Sequence, residues 1–302
     1  MHSLVSLVCE ELKLYGMDLL DLRNDFVFKA FFGDKRNNHL LLNFLNAVLE
    51  DKIISVVLTD PTIEILHAGD KLSVMDIRVV TNEGEEINIE MQMSGHKAFR
   101  ERMLLYWAKM YGSQGKSGHS YEKLKKATQI VIANFELLSK PHYHSRFQLI
   151  DQDDGTIFSA HLDMHVLELS KLKEIKPEVA NELEKWLLFM KGNKEEKEAL
   201  AVESSVLQEA LTEIERLSQD PKTIKLAITR EIQLNDQLQR EADAVERGLE
   251  RGMEQGMEQG MEFQKREMVL NMYAENLPVE SIAKFTKITL EQVNEIIESA
   301  GE

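Results

Sequence analysis

One cysteine, Cys9, in 302 residues rules out an intramolecular disulfide and a thiolate metal cluster, and fits a reducing compartment. Proline is scarce at five residues, which excludes a proline-rich or collagen-like chain. No run approaches the roughly 18 consecutive apolar residues that cross a bilayer. The opening MHSLVSLVCEELKLYG is interrupted by Glu10, Glu11 and Lys13 before a signal-peptide core can form. The expectation is a soluble, cytoplasmic protein without membrane contact. Also missing are a P-loop, a G-x-G-x-x-G after a strand and a G-x-S-x-G elbow, so ATP-driven and serine-hydrolase chemistry have no support. What is present, 43% hydrophobic and 29% charged residues, is the composition of a folded chain, and the length suggests about two structural units.

A net charge of −16 argues against a polyanionic partner until its distribution is read. Residues 1–150 hold 18 basic and 19 acidic residues, whereas 151–302 hold 18 basic and 33 acidic. Within the first half, Gly95 to Lys126 carries eight basic residues against Glu101 and Glu122, a local net of +6. Two readings are open for that segment: a surface facing a polyanion, or a solvated helix face.

Residues 25–50 read as helical, with Phe26, Phe28, Phe31 and Phe32 followed by Leu40, Leu41, Phe44, Leu45 and Val48 near the 3.6 period. Period-two segments follow at Thr62–His67, Leu72–Thr81 and Glu86–Met93. A helix is expected over His96–Gln114, then strands over Gln129–Phe135, Arg146–Ile150 and Leu162–Leu169. Beyond Pro177 the pattern is helical, with no proline between Lys222 and Asn276. The expected division is a mixed α/β core over 1–172, a helical extension over 173–265 and a small helix-turn-helix-like module over 266–302. Gly248, Gly252, Gly256 and Gly260 recur every fourth residue. They read either as a seam for close helix approach in a homo-oligomer or as a low-complexity, weakly helical linker. In the terminal module Thr289 and Gln292 have capping-box spacing, and the last helix carries Glu291, Glu295 and Glu298 without a basic residue. That is poor chemistry for a DNA groove, so docking or oligomerisation suits it better.

The chemistry concentrates in KLSVMDIRVVTNEGEEINIEMQ. Alternation puts Asp76 and Arg78 on one strand face, and Asn88, Glu90 and Gln92 on one face of the next. A three-residue loop, Asn82–Gly84, centres the hairpin on residue 83, so Asp76 falls opposite Glu90, each seven positions away. Opposed like charges destabilise a hairpin unless something neutralises them. Magnesium, which takes one or two carboxylates and keeps several waters, would do so; manganese or calcium fits the same ligands. The bland alternative is a polar strand face paired with Arg78 and nearby lysines.

An Asp followed about a dozen residues later by Glu-x-Gln resembles the core of PD-(D/E)XK nucleases, and specifically the nuclease family transposases also called Rpn recombination-promoting nucleases. NDFVFKAFFGDKRNNHLLLNFLNAVL resembles that family's opening helix pair, with Asp25 and Lys29 at matching positions. FRERMLLYWAKMYGSQGKSGHSYEKL resembles its next helix, with Arg102 and Tyr106 in place. The likeness covers most of the chain, most specifically residues 24–136. It implies a restriction-endonuclease-like core and a metal-dependent DNA endonuclease linked to recombination or transposition. Asp76, Glu90 and Gln92 would be catalytic, with Asp76 and Glu90 as metal ligands and Asp25 as a candidate third. Arg102, Lys109, Tyr106 and Lys29 would contact DNA. The departure from the wider superfamily is Gln92, which stands where most members have lysine and offers hydrogen bonds but no charge. Neutralisation must then come from the metal or from a basic residue elsewhere. The rival reading is a catalytically silent nucleic-acid-binding or assembly protein that kept the fold. His142 with His144, and His161 with His165, lack partners at a recognisable metal spacing and read as loop and strand histidines.

Overall fold

Asn24 opens the first helix, α1 (Asp25–Phe32), by accepting from the backbone N–H groups of Phe26 and Val27. The computed structural model describes residues 18–50, 52–63, 73–95, 98–115, 118, 120–172 and 176–300. Cys9, residues 64–67 of the first expected strand, and Lys97 and Lys116 of the basic segment lie outside the described residues. Val27, Phe28, Phe31 and Phe32 of α1 are buried. A 3-10 turn capped by Asp34 separates α1 from α2 (Asn38–Leu49), which ends at Glu50 in the left-handed region, φ 53°. The helical stretch expected over 25–50 is therefore two helices.

Among the described residues, eight strands follow the helix pair: β1 (Val56–Thr59), β2 (Thr62–Ile63), β3 (Ser73–Val74), β4 (Ile77–Thr81), β5 (Glu86–Gln92), β6 (Ala127–Ala133), β7 (His144–Ile150) and β8 (Ile157–Glu168). Six form one sheet in the order β1-β4-β5-β6-β8-β7, while β2 and β3 pair separately. The β5–β6 and β6–β8 pairs are parallel and the remaining pairs antiparallel. Helix α3 (Phe99–Gly112) connects β5 to β6, as a parallel pair requires. Ile77, Val79, Ile87, Ile89, Met91, Ile130, Ile132 and Leu167 share a core with α1 and α2. Phe99 and Met103 of α3 pack with Val131 and Met164 in a separate cluster, so the architecture is layered α/β.

Two details depart from the sequence reading. The short β1 was not anticipated, and the strand expected over Leu72–Thr81 is broken at Met75 and Asp76. The break has a local cause: the Met91 N–H, instead of finding a carbonyl in a continued ladder, donates to Asp76 Oδ2 at 2.9 Å.

The core does not stop at residue 172. Helices α4 (Glu182–Lys191), α5 (Lys194–Glu203), α6 (Ser205–Leu217) and the start of α7 (Pro221–Ala274) place Trp186, Leu187, Phe189, Leu207, Ile214 and Ile224 in the cluster that holds α1 and α2. Trp186 lies 5.7 Å from Phe32 and 5.9 Å from Phe44 between ring centroids, and donates to Asn43 Oδ1 at 2.7 Å. The compact units are 1–231 and 232–302, which moves the expected boundary from 172 to 231. Hydrophobic patterning located these helices but could not show which core they complete.

In the second unit α8 (Val279–Thr286) and α9 (Leu290–Glu298) pack with the end of α7 around Val269, Ile282 and Val293. Thr289 and Gln292 form the expected capping box. The four spaced glycines lie inside α7, where an added Cβ would meet nothing within 4 Å. Among the described residues no helix is long and apolar enough to cross a membrane.

Ending the chain after residue 172 should give an aggregating product without a cooperative melt, whereas ending it after Arg240 should preserve one; circular dichroism melts compare the two. Gly252→Ala and Gly256→Ala should each stabilise α7 by about 0.8 to 1 kcal/mol, because the helix interior gains propensity and meets no clash. A lower melting temperature, together with a smaller mass by light scattering, would show instead that the glycines serve a seam between copies.

Candidate active site

The β4–β5 hairpin turns at Asn82–Gly84, with Gly84 in the left-handed conformation, φ 81°, that such a loop requires of glycine. Ile77 pairs with Ile89 and Val79 with Ile87, so one step further Asp76 comes opposite Glu90, the register that a centre at residue 83 predicts. Arg78 does not neutralise them, because its guanidinium pairs with Glu86 at 2.5 Å.

Both carboxylates are largely out of solvent. The Asp76 side chain is 10% exposed, and Glu90 as a residue is 4% exposed. Asp76 Oδ2 accepts from Met91 N–H, and Oδ1 lies 2.9 Å from Lys29 Nζ on α1. Glu90 Oε1 accepts from Asn88 Nδ2 at 3.0 Å and from the Asp76 N–H at 3.3 Å. The same Asn88 amide also donates to Gln129 Oε1 on β6 at 3.0 Å. Burial and the neighbouring Asp76 charge push the Glu90 carboxyl up to about 8. Burial also raises Asp76, against the pull of Lys29. Lys29 rises above the ordinary lysine value: burial opposes its charge, and Asp76 more than restores it.

Gln92 Oε1 accepts from Arg102 Nη2 at 2.7 Å, and its Nε2 donates to the Ser94 carbonyl at 3.1 Å. Arg102 lies over the rings of Phe99 and Tyr106, 5.1 and 5.9 Å from their centroids. The Tyr106 phenol is raised by burial and then by Glu90, which places it in the field of the site. Lys109 lies two turns beyond Arg102 on α3 and is half-buried.

Asp25 departs from its expected place. Its carboxylate is gripped by Arg230 of α7, Nη2 to Oδ2 at 2.6 Å and Nε to Oδ1 at 2.7 Å, while its charge still reaches Asp76 and Lys29. Among the described residues no three His, Cys, Asp or Glu side chains are grouped to hold a metal. What the chain offers a divalent cation is two buried, adjacent carboxylates with hard oxygen donors, which fits an ion that retains several waters.

Three residues of this neighbourhood had no assigned role in the sequence reading. Asn88 shares the face of Glu90 by alternation, and Gln129 is a polar residue inside the apolar run of β6, so both left a signal. Arg230 left none, since only the fold brings it to Asp25. Two of the histidines meet inside the fold: His144 Nε2 lies 2.9 Å from His165 Nδ1, beside the fully buried Asp163. Lys126 at 2.8 Å and Arg146 at 2.7 Å hold Asp163, so Lys126 of the basic segment is engaged inside the fold. Burial, then His165, pushes His144 down to about 4.

A family model described as "PD-(D/E)XK nuclease family transposase" matches residues 22–244, which contain Asp25, Lys29, Asp76, Glu90, Gln92, Arg102 and Arg230. No curated protein and no solved structure matches the chain.

A carboxyl raised in the folded state stabilises the fold fully below its unfolded value near 4.5, and that contribution is lost as pH rises through about 8. Without divalent cation, the wild type should therefore lose stability relative to Glu90→Gln between these limits, by on the order of a few kcal/mol. Urea melts at pH 5 and pH 8.5 measure the gap. Parallel curves for the two proteins would show that Glu90 does not carry the strain, and added magnesium should narrow the gap.

Proposed function

Since this chain belongs to the PD-(D/E)XK nuclease family transposases, we propose that it is a divalent-metal-dependent DNA endonuclease that hydrolyses phosphodiester bonds, serving recombination or transposition. The observation that carries the reading is the Asp76–Glu90 pair, buried side by side with Lys29 against one of them. PD-(D/E)XK nucleases generally use divalent metals, and here Asp76 and Glu90 would hold the ion, with Mg²⁺ the first choice and Mn²⁺ or Ca²⁺ compatible. A cation bound there supplies Lewis-acid polarisation of a phosphoryl oxygen and eases deprotonation of water.

The chain's own groups do the rest. Asn88 fixes Glu90 through Oε1, which leaves Oε2 for the ion. Gln92 has one amide hydrogen beyond its bond to Ser94, enough to orient a water. Arg102, held by Gln92 and two rings, presents positive charge beside the site, and Tyr106 and Lys109 continue that face along α3. The exposed row Leu249, Met253, Met257 and Met261, between 53% and 64% accessible, supports self-association through α7, which would bring two sites to opposite strands.

The rival reading, a silent DNA-binding or assembly protein, draws on the uncharged Gln92 and on the engagement of Asp25 by Arg230. Incubating supercoiled plasmid with Mg²⁺, Mn²⁺, Ca²⁺ or EDTA decides between them. Metal-dependent nicking or cutting that falls by about 100-fold or more in both Asp76→Ala and Glu90→Ala is expected, the loss corresponding to roughly 3 kcal/mol of transition-state stabilisation. Undiminished cleavage by Asp76→Ala would end the assignment, and salt-sensitive binding without cleavage under every metal would favour the rival.

A further inference from the structure

Gln92 leaves the site one positive charge short of what a lysine there would supply, and Gln92 is itself bonded to Arg102. Three cations of the described residues surround the carboxylate pair. Arg230 places both arms of its guanidinium on Asp25. Arg102 is stacked over Phe99 and Tyr106 and donates to Gln92. Lys29 differs from both, because its Nζ stands 2.9 Å from Asp76 itself.

Its setting makes that placement firm. Lys29 projects from α1, which is capped by Asn24 and anchored by Val27, Phe28, Phe31 and Phe32, all buried. Opposite it, the second oxygen of Asp76 is fixed by the Met91 N–H. The Lys29 side chain is 39% exposed while Asp76 beneath it is 10% exposed, so the ammonium lies between the carboxylate floor and solvent. An ammonium has three N–H donors, and Asp76 uses one. The others are available to a phosphate oxygen or an attacking water arriving above Asp76.

We propose that Lys29, on the first helix, is the catalytic cation that replaces the lysine absent from position 92. The inference rests on the nuclease reading and adds a role that the hairpin motif does not contain. As a point charge with rotatable donors, lysine suits stabilisation of a developing phosphate charge without a fixed bidentate geometry.

The test uses the full-length protein and combines single-turnover cleavage of supercoiled DNA in Mg²⁺, DNA affinity by filter binding in Ca²⁺, Mn²⁺ affinity by calorimetry, and thermal melting. Lys29→Ala should lower the cleavage rate by about 100-fold, in the range seen when one preorganised charge or donor is removed. Its DNA affinity should stay within a few-fold of wild type, and its Mn²⁺ affinity should be equal or tighter, because a competing cation has left Asp76. The double variant Lys29→Ala/Gln92→Lys should regain at least tenfold in rate. Ethylammonium added to Lys29→Ala should also restore rate, more at pH values where the amine is protonated, which decides the matter should Gln92→Lys by itself block cleavage. The proposal is overturned if neither the double variant nor the added amine restores cleavage, if affinity for DNA falls in proportion to the rate, or if Lys29→Ala cleaves like wild type. A wild type that cleaves under no metal would overturn the nuclease reading as well. A cleaving wild type with an unimpaired Lys29→Ala would remove this proposal alone.

Discussion

Two carboxyl groups placed side by side and away from water cannot both be charged unless a cation joins them, and that constraint organises the centre of this protein. Burial raises both carboxyls: Asp76 is opposed by Lys29 and the Met91 N–H, while Glu90 is pushed up to about 8 and receives only neutral donors, Asn88 and a backbone N–H. Each of the two is therefore easier to protonate than an ordinary carboxyl. The pair's surroundings are rigid because they belong to different layers: Lys29 to α1 on one side of the sheet, Asn88 and Gln129 to two parallel strands, and Arg102 to α3 on the other side. A site with unfavourable electrostatics at rest needs that much packing to keep its geometry.

The helices beyond residue 172 supply part of it. Trp186 packs against both Phe32 and Phe44, so the helix that carries Lys29 is braced from behind by a residue more than 150 positions later. Arg230 ties the start of the same helix to α7 through Asp25. The stretch between residues 182 and 231 is consequently not an appendage to the site. It forms the backing on which α1 is held.

The hairpin was legible in the sequence because a period of two, a glycine at the left-handed loop position and a count from residue 83 fix its register without outside information. The same holds for the helix caps at Thr289 and for the apolar faces of α1, α2 and α3. The break at Asp76 was not legible, since it depends on a side chain accepting from a backbone group fifteen residues away. Nor was β1, where four residues with an exposed Val57 show little alternation. Arg230 and Asp25, 205 positions apart, and the histidine–Asp163 cluster spread over three segments, are products of tertiary packing. Charge counting could not show which cations of the +6 segment are engaged within the fold: Lys126 pairs with Asp163, and Arg102 donates to Gln92.

The pairing of Gln92 with Arg102 explains why a lysine is unwelcome at that position. Arg102 lies against two aromatic rings and needs an acceptor for its Nη2, which the Gln92 carbonyl oxygen provides. A lysine has no acceptor, so in place of Gln92 it would leave the guanidinium beside a second cation and without its bond. Once α3 carries an arginine at 102, a neutral acceptor at 92 becomes the favourable choice, and charge for the carboxylate pair has to arrive from the opposite face of the sheet. That face is α1, where Lys29 meets Asp76. The glutamine, the stacked arginine and the helix-borne lysine are therefore one linked arrangement, in which moving any single charge alters what the other two positions can hold.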